Sequence, residues 1–419
     1  MNRAARDRAN ILWIQTDEQR PDSLGCYGSA WARTPYVDAL ARRGIVYQNC
    51  VCNSPVCVPS RASQLAARYP QELGTLLNQV YALDDVYPPG TITFPELFAE
   101  AGYATASIGK WHHGLNWTTT DGRTPEPKGD GRNINYTAPL TGGPNSLGFD
   151  YSFNISGSLD MAPYCFIENG RVLDIPTVEK EPYNPQQRPG LMPPGWRDEE
   201  VDVTFARKAV AWIEERAREE QPFFLYLTPS APHRPCMPPD FIKGASQAGL
   251  RGDMIALFDW LVGQIDETLH QHNLVENTLL IITSDNGAQI TDFYGNSWGH
   301  KANGDLRGQK ADIWDGGHRE PFIARWPGQV KAGTTSDQLI CLGDLLATST
   351  AIVGTEIPDG AGPDSYNILP ILQGREEPVR DTLVHHSGFG MFSIRRGEWK
   401  LIEALGSGGF TDPRLSLIH

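Results

Sequence analysis

The pentapeptide Cys57-Val58-Pro59-Ser60-Arg61 brings a precursor of a sulfur nucleophile within one helical turn of a guanidinium. Pro55 and Pro59 stiffen the approach, and proline suits the first turn of a helix because no N–H is needed there. The run Arg61–Arg68 reads as a helix, so Cys57 falls at or just before a helix N-terminus, where free N–H groups and the dipole favour an anion. Arg61 lies four residues on and reaches the same face. A cysteine in isolation is ordinarily a small buried hydrophobe, so the other polar residues of the chain must decide whether this one does chemistry.

Several of those residues fall where predicted strands end. Asp17 and Glu18 follow the apolar run Ile11–Thr16, and carboxylates at the C-terminal end of a buried parallel strand sit where open α/β sheets bind ligands. Lys110 and His112 follow the strand Tyr103–Ile108; two residues apart in extended chain, they point to one side. His233 follows the strand Pro222–Leu227, held among Pro229, Pro232 and Pro235. Asp285 and Asn286 follow Thr278–Thr283, and Gly287 permits the sharp turn that presents them. Lys310 stands in a later loop. Acidic and amide oxygens suit a hard divalent cation, Ca²⁺ or Mg²⁺. Arg61, Lys110, Lys310 and the histidines suit a tetrahedral oxyanion. Together the two sets describe metal-assisted cleavage of a sulfate or phosphate ester.

The elements that must position these residues alternate between strand and helix, which predicts an α/β fold with a large, mostly parallel sheet sandwiched by helices. Helices are expected over Thr93–Gly102, Val201–Glu220, Gly252–Gln271 and Cys341–Val353, and from Pro35 to about Gly44, where Ile45–Asn49 begins a second strand. Residues 115–200 change character: Gly, Pro, Asn and Asp dominate, and the segment reads as an irregular insertion on the substrate side. Its aromatics, Trp117, Tyr136, Tyr151, Phe153, Tyr164, Phe166, Tyr183 and Trp196, suit either a stacking wall for a ring or, more commonly, the pinning of a loop to the body. From about residue 376 a small antiparallel subdomain is expected, with a hairpin turning at Arg396-Gly397 and an apparently shortened end at His419. Residues 1–375 would then form the catalytic domain.

The 419 residues suffice for a large core, and 40 % hydrophobic with 21 % charged residues is the balance of a soluble globular chain. A net charge of −14 argues against nucleic acid as a partner, while leaving room for a local basic pocket around a small anion. The apolar run Ile11–Ile14 is too short for a signal-peptide core or a membrane span, so the chain as written reads as cytoplasmic, with no membrane partner, although nothing in it forbids export. Seven scattered cysteines offer no disulfide framework, and Cys50, Cys52 and Cys57 lack the paired spacing of a zinc site. Nothing in the sequence sets the oligomeric state.

Cys57-Val58-Pro59-Ser60-Arg61 resembles the C-x-P-S-R signature of type I sulfatases, in the alkaline phosphatase superfamily. Gly109-Lys110-Trp111-His112, Ser284-Asp285-Asn286-Gly287, Gly316-Gly317-His318-Arg319-Glu320-Pro321 and the hairpin Phe392–Leu401 resemble that family's other blocks in the same order. The resemblance implies that a separate formylglycine-generating enzyme oxidises Cys57 to Cα-formylglycine (3-oxoalanine), whose hydrate is the nucleophile toward a small-molecule or carbohydrate sulfate ester. It implies one Ca²⁺ or Mg²⁺ per chain, held by Asp17, Asp285, Asn286 and modified Cys57. Glu18 stands where many members have a second Asp; one methylene longer, it either ligates from a shifted backbone or leaves the shell. The resemblance further implies that Arg61 holds the formylglycine, Lys110 and Lys310 bind sulfate oxygens, His112 assists the second step and His233 protonates the leaving oxygen. Two other readings compete: a phosphonate monoester or phosphodiester hydrolase with the same nucleophile, and a catalytically dead binding protein of this fold. Asn286, in place of a histidine, favours the sulfatase.

Overall fold

Seven consecutive buried residues, Asn10–Thr16, form β1, the strand on which the sheet is built. The computed structural model describes residues 8–75, 86–123, 130–185, 187–290 and 303–414. In chain order, α1 (Pro35–Arg42) is followed by β2 (Ile45–Val51), α2 (Cys57–Ala66), α3 (Phe94–Glu100), β3 (Ala104–Lys110) and β4 (Tyr151–Ile155). Short strands β5 (Ile167–Glu168), β6 (Arg171–Val172), β7 (Val178–Glu179) and β8 (Leu191–Met192) precede α4 (Val201–Arg216) and β9 (Phe223–Thr228). Then come α5 (Gly249–Gln271), β10 (Thr278–Ser284), α6 (Asp315–His318), β11 (Arg319–Arg325), β12 (Thr334–Ser336) and β13 (Ile340–Cys341). The last elements are α7 (Leu345–Val353), α8 (Leu369–Leu372), β14 (Thr382–His386), β15 (Phe392–Arg396) and β16 (Trp399–Ile402).

The main sheet runs β12-β2-β11-β10-β1-β9-β3-β4-β5-β6, with β13 beside β2. Its centre is parallel: β1 pairs with β10 and β9, and β3 pairs with β9 and β4. Thr16 stands opposite Ser284, Gly109 opposite Thr228 and Lys110 opposite Ile155, so the loops after β1, β10, β9 and β3 all leave one edge of the sheet. Alternation along β1 feeds two cores. Trp13 packs with Phe94, Phe98, Phe224 and Leu65 on one face, and Leu12 and Ile14 with Leu40, Phe205, Leu225 and Leu261 on the other. Among the described residues no helix is long and apolar enough to cross a membrane.

Local chemistry explains several boundaries. Thr93 and Glu96 close a reciprocal capping box on α3. Asp259 on α5 accepts the N–H groups of Tyr36 and Val37, capping α1 from outside. The helix expected over Arg61–Arg68 instead takes in Cys57 as its first residue and stops at Ala66, because Ala67 turns left-handed (φ 51°). The helix expected from Cys341 begins at Leu345, after a short tight turn over Leu342–Asp344.

The aromatics of the insertion mostly hold it to the body. Phe166 stacks on Phe153 and meets Phe205 and Trp196, Trp117 meets Tyr136, and Tyr164 is buried. Tyr183, 51 % exposed, is the one aromatic of that set at the open surface. The expected hairpin is present as β15–β16, and β14 adds a third antiparallel strand that the sequence pattern did not announce.

Asp315 fastens this small sheet to the main one. It accepts from Arg319 (3.1 Å), Lys400 (3.1 Å) and Arg395, three cations from β11, β16 and β15. Burial opposes ionisation of Asp315, yet Lys400 and Arg395 outweigh it and hold the carboxyl well below the ordinary range. Removing one member of such a network leaves like charges facing each other. Asp315→Asn is expected to lower the unfolding free energy by about 3 kcal/mol, read as a shift in the denaturant midpoint at unchanged slope; a loss under about 1 kcal/mol would show that the cations find other partners.

Candidate active site

At the end of β1 the chain turns abruptly. Glu18 has φ 63°, a conformation that costs free energy for a residue bearing Cβ, and it is over-determined by its neighbours. Its N–H donates to Asp285 Oδ1 (3.1 Å), Gln19 N–H to Ser284 Oγ (2.9 Å), and Arg251 to the Glu18 carbonyl. The loops after β1 and β10 are thus tied together before any ligand is considered.

Cys57 opens α2 with its Sγ 3.5 Å from Asp17 Oδ1 and 3.1 Å from Lys310 Nζ. One turn along, Arg61 donates through Nε to Asp285 Oδ2 (2.8 Å) and through Nη1 to the Lys110 carbonyl (3.2 Å). Lys110 pairs with Asp17 Oδ2, and Lys310 with Glu18. His233 Nε2 lies 2.8 Å from Glu18 Oε1 and 3.5 Å from Lys310 Nζ. Every one of these side chains is buried. The structure therefore brings together Asp17, Glu18, Cys57, Arg61, Lys110, His233, Asp285 and Lys310 from loops spread over nearly 300 residues of sequence.

His112 arrives by a different route from the one expected. β3 ends at Lys110, and His112 is left-handed (φ 62°), so the two do not share one side of an extended strand. The His112 N–H bonds to the Ser156 carbonyl (3.0 Å), and neither ring nitrogen has a hydrogen-bond partner. Burial, with Lys110 and Arg61 nearby, holds its pKa well below that of an ordinary imidazole, so the ring is neutral at physiological pH.

Electrostatics set the other protonation states. Burial opposes charge on Asp17, but Lys110, His233, Arg61 and Lys310 hold its carboxyl far down; Glu18 is held down similarly by His233 and Lys310. Burial and the Asp17 charge push Asp285 up in spite of Arg61. Burial pushes the Cys57 thiol up to about 12, even beside two lysines. Unmodified, this sulfur is a protonated thiol at neutral pH and a poor nucleophile.

The residues fit a hard divalent cation. Asp17, Glu18, Cys57 and His233 each offer a ligand atom within 4.8 Å of the others, the one such group among the described residues. The Asn286 side-chain oxygen is buried without a hydrogen-bond partner, while its amide donates to the Gly287 carbonyl (3.0 Å). Buried carboxylate oxygens and an orphaned amide oxygen are the ligand types that Ca²⁺ or Mg²⁺ takes. Asp285 turns one oxygen to Arg61 and the other to the Glu18 N–H.

Two supporting residues escaped the sequence reading. Asp202 on α4 accepts the N–H groups of Ser230 (2.7 Å) and Ala231 (2.9 Å) and the Ser230 hydroxyl, fixing the loop that carries His233. Ser158 donates to Asp17 Oδ2 (3.3 Å) from within the irregular insertion. Neither sits at a strand end, and the first looks like any acid in an amphipathic helix.

A family model described as Sulfatase matches residues 9–355. The chain is 32 % identical over 440 aligned residues to a protein of Bacteroides thetaiotaomicron named N-acetylgalactosamine-6-O-sulfatase, covering 94 % of this chain and 82 % of that one. A solved structure titled for the metabolism of multiple glycosaminoglycans by the same organism matches with a TM-score of 0.85 and 30 % identity, over 96 % of this chain and 89 % of that one. The phosphonate monoester hydrolase of Agrobacterium radiobacter shares the fold, with a TM-score of 0.64 at 19 % identity over 94 % and 87 % of the two chains.

Any fraction of the protein that retains Cys57 as a thiol is expected to resist alkylation by iodoacetamide at pH 8 in the folded state and to react fully after unfolding. Peptide mass spectrometry reads both; rapid labelling of Cys57 in the folded protein would overturn the high thiol pKa derived from its burial.

Proposed function

The chain belongs to the sulfatase family and hydrolyses sulfate esters; from that premise we propose that its substrate is a carbohydrate carrying a 6-O-sulfated N-acetylgalactosamine. The observation that carries the reading is the similarity, over most of both chains, to the N-acetylgalactosamine-6-O-sulfatase of Bacteroides thetaiotaomicron.

The family implies a metal and a formylglycine, and both fit the residues present. Calcium is the ion we assign; Asp17 and Glu18, which cluster with Cys57 and His233, and Asp285 and Asn286 on the adjoining loop would hold it, because all four offer oxygen. When bound, the ion would supply Lewis-acid polarisation, and Cys57 once oxidised to formylglycine would supply a hydrated aldehyde as nucleophile. The chain's own side chains do the rest. Lys110 and Lys310, both buried and cationic, bind the sulfate oxygens and stabilise charge that builds on them. Arg61, anchored on Asp285 and the Lys110 carbonyl, keeps residue 57 in line. His233 donates through Nδ1 to the Arg234 carbonyl (2.7 Å), so Nε2, which lies against Glu18 Oε1 (2.8 Å) beside Lys310, is the nitrogen that hands a proton to the departing alcohol oxygen. His112, buried with neither ring nitrogen hydrogen-bonded, is the group we assign to accept the proton whose removal frees sulfate.

The purified enzyme is expected to release sulfate from 6-O-sulfated N-acetylgalactosamine faster than from the same sugar sulfated at O4, and to turn over an aryl phosphodiester more slowly than 4-nitrophenyl sulfate. A faster phosphodiester rate would favour the phosphonate or phosphodiester hydrolase instead. The Cys57 peptide of the active protein is expected to be roughly 18 Da lighter than the thiol form.

Calcium should raise the melting temperature of chelator-treated protein, a stabilisation of about 2.7 kcal/mol at a hundredfold excess over Kd. In Asn286→Ala the calcium concentration for half-effect is expected to rise at least about tenfold. Equal stabilisation of both proteins would remove Asn286 from the ligand set.

A further inference from the structure

Beside His233 lies a carboxylate that the hydrolytic machinery does not use. Asp160 is 1 % exposed, on the loop between β4 and β5 that also carries Ser158 to Asp17. Its Oδ1 lies 4.0 Å from His233 Nδ1 and accepts no hydrogen bond. Its Oδ2 is 3.5 Å from Arg234 Nε, which is itself without a hydrogen-bond partner. His233 Nδ1 is already engaged by the Arg234 carbonyl at 2.7 Å, so Asp160 does not orient the imidazole as the acid of a catalytic triad does. The far end of Arg234 donates to Gln289 Oε1 (2.8 Å), which holds the guanidinium in place, and its side chain is 25 % exposed.

A buried carboxylate oxygen without a donor is costly, and such groups in native proteins ordinarily have partners. Asp160 and Arg234 approach to just beyond hydrogen-bond distance and stop, presenting one acceptor and one donor beside the residue that protonates the leaving group. A sugar hydroxyl satisfies both at once, since its O–H donates while its oxygen accepts. An aryl sulfate offers no such hydroxyl.

Resting on the carbohydrate reading above, we propose that Asp160 and Arg234 form a specificity subsite that reads a ring hydroxyl neighbouring the sulfated position, with Asp160 Oδ1 accepting from the hydroxyl and Arg234 donating to it. The pair acts on substrate choice. Sites built to hydrogen-bond a substrate hydroxyl discriminate strongly against analogues that lack it.

The test compares wild type, Asp160→Asn and Arg234→Lys on three probes: 6-O-sulfated N-acetylgalactosamine, its analogues lacking one ring hydroxyl each, and 4-nitrophenyl sulfate, with thermal melts as a folding control. For both variants the loss in kcat/KM on the sugar is expected to exceed the loss on the aryl sulfate by roughly 10- to 100-fold, a bond to a charged group being at stake. One deoxy analogue should cost wild type a similar factor and cost Asp160→Asn little more. Equal losses on sugar and aryl sulfate would assign Asp160 to positioning His233, and no loss on either would remove the pair from recognition; both overturn the subsite. If wild type ignores this sugar and cleaves another sulfated one, the substrate assignment falls while the same comparison on that sugar still judges the subsite. Turnover of aryl sulfates alone overturns both.

Discussion

Three carboxylates and three cations share the buried edge of the sheet, and the rest of the site depends on their balance. Lys110 pairs with Asp17, Arg61 with Asp285 and Lys310 with Glu18, all withdrawn from water. Desolvating six charges is expensive, and a buried pair that loses one member typically costs 3–5 kcal/mol because the other charge is stranded. The cluster is therefore a poor source of stability and a strong constraint on composition. It also carries both signs at one place, with buried cations that suit an anion and buried acids that suit a divalent ion.

The fold exists to make that balance possible. Parallel pairing of β1 with its neighbours on both sides delivers several loops to one edge, and each loop is short enough at its start to carry a side chain straight into the centre. Supports come from elsewhere. Asp202 reaches from a helix to fix the His233 loop, Ser60 donates from α2 to the Asp285 carbonyl (2.5 Å), and the irregular insertion folds Ser158 and Asp160 over the top. The insertion derives its rigidity from buried aromatics, which is why most of them line the protein core and not a substrate groove.

Much of this is legible in the chain because the chemistry-bearing residues cluster in short, Gly- and Pro-punctuated motifs at the ends of apolar runs. Strands of seven buried residues such as β1 and β10 announce themselves by composition, and the polar residues directly after them belong to the loops at the sheet's edge. Where the pattern misleads, the backbone departs from its regular period without a local signal. Strand alternation puts His112 beside Lys110, yet a left-handed residue breaks that alternation and nothing nearby marks it. Both ends of α2 are obscure for a similar reason, since Cys57 enters the helix without a side-chain cap and Ala67 leaves it without glycine. Asp202, Ser158 and Asp160 are ordinary residues in sequence; only tertiary contact gives them a role.

Glu18, His112 and Ala311 are left-handed non-glycine residues, and all three belong to the site or adjoin Lys310. Each stores an amount of order 1–3 kcal/mol that glycine at the same position would largely release. A stability-guided redesign that ranks substitutions by backbone energy would thus nominate three glycines here. At position 311 the change removes only a methyl group. At positions 18 and 112 it would delete the carboxylate that pairs with Lys310 and a buried imidazole, so the lower backbone energy would come with a stranded buried cation.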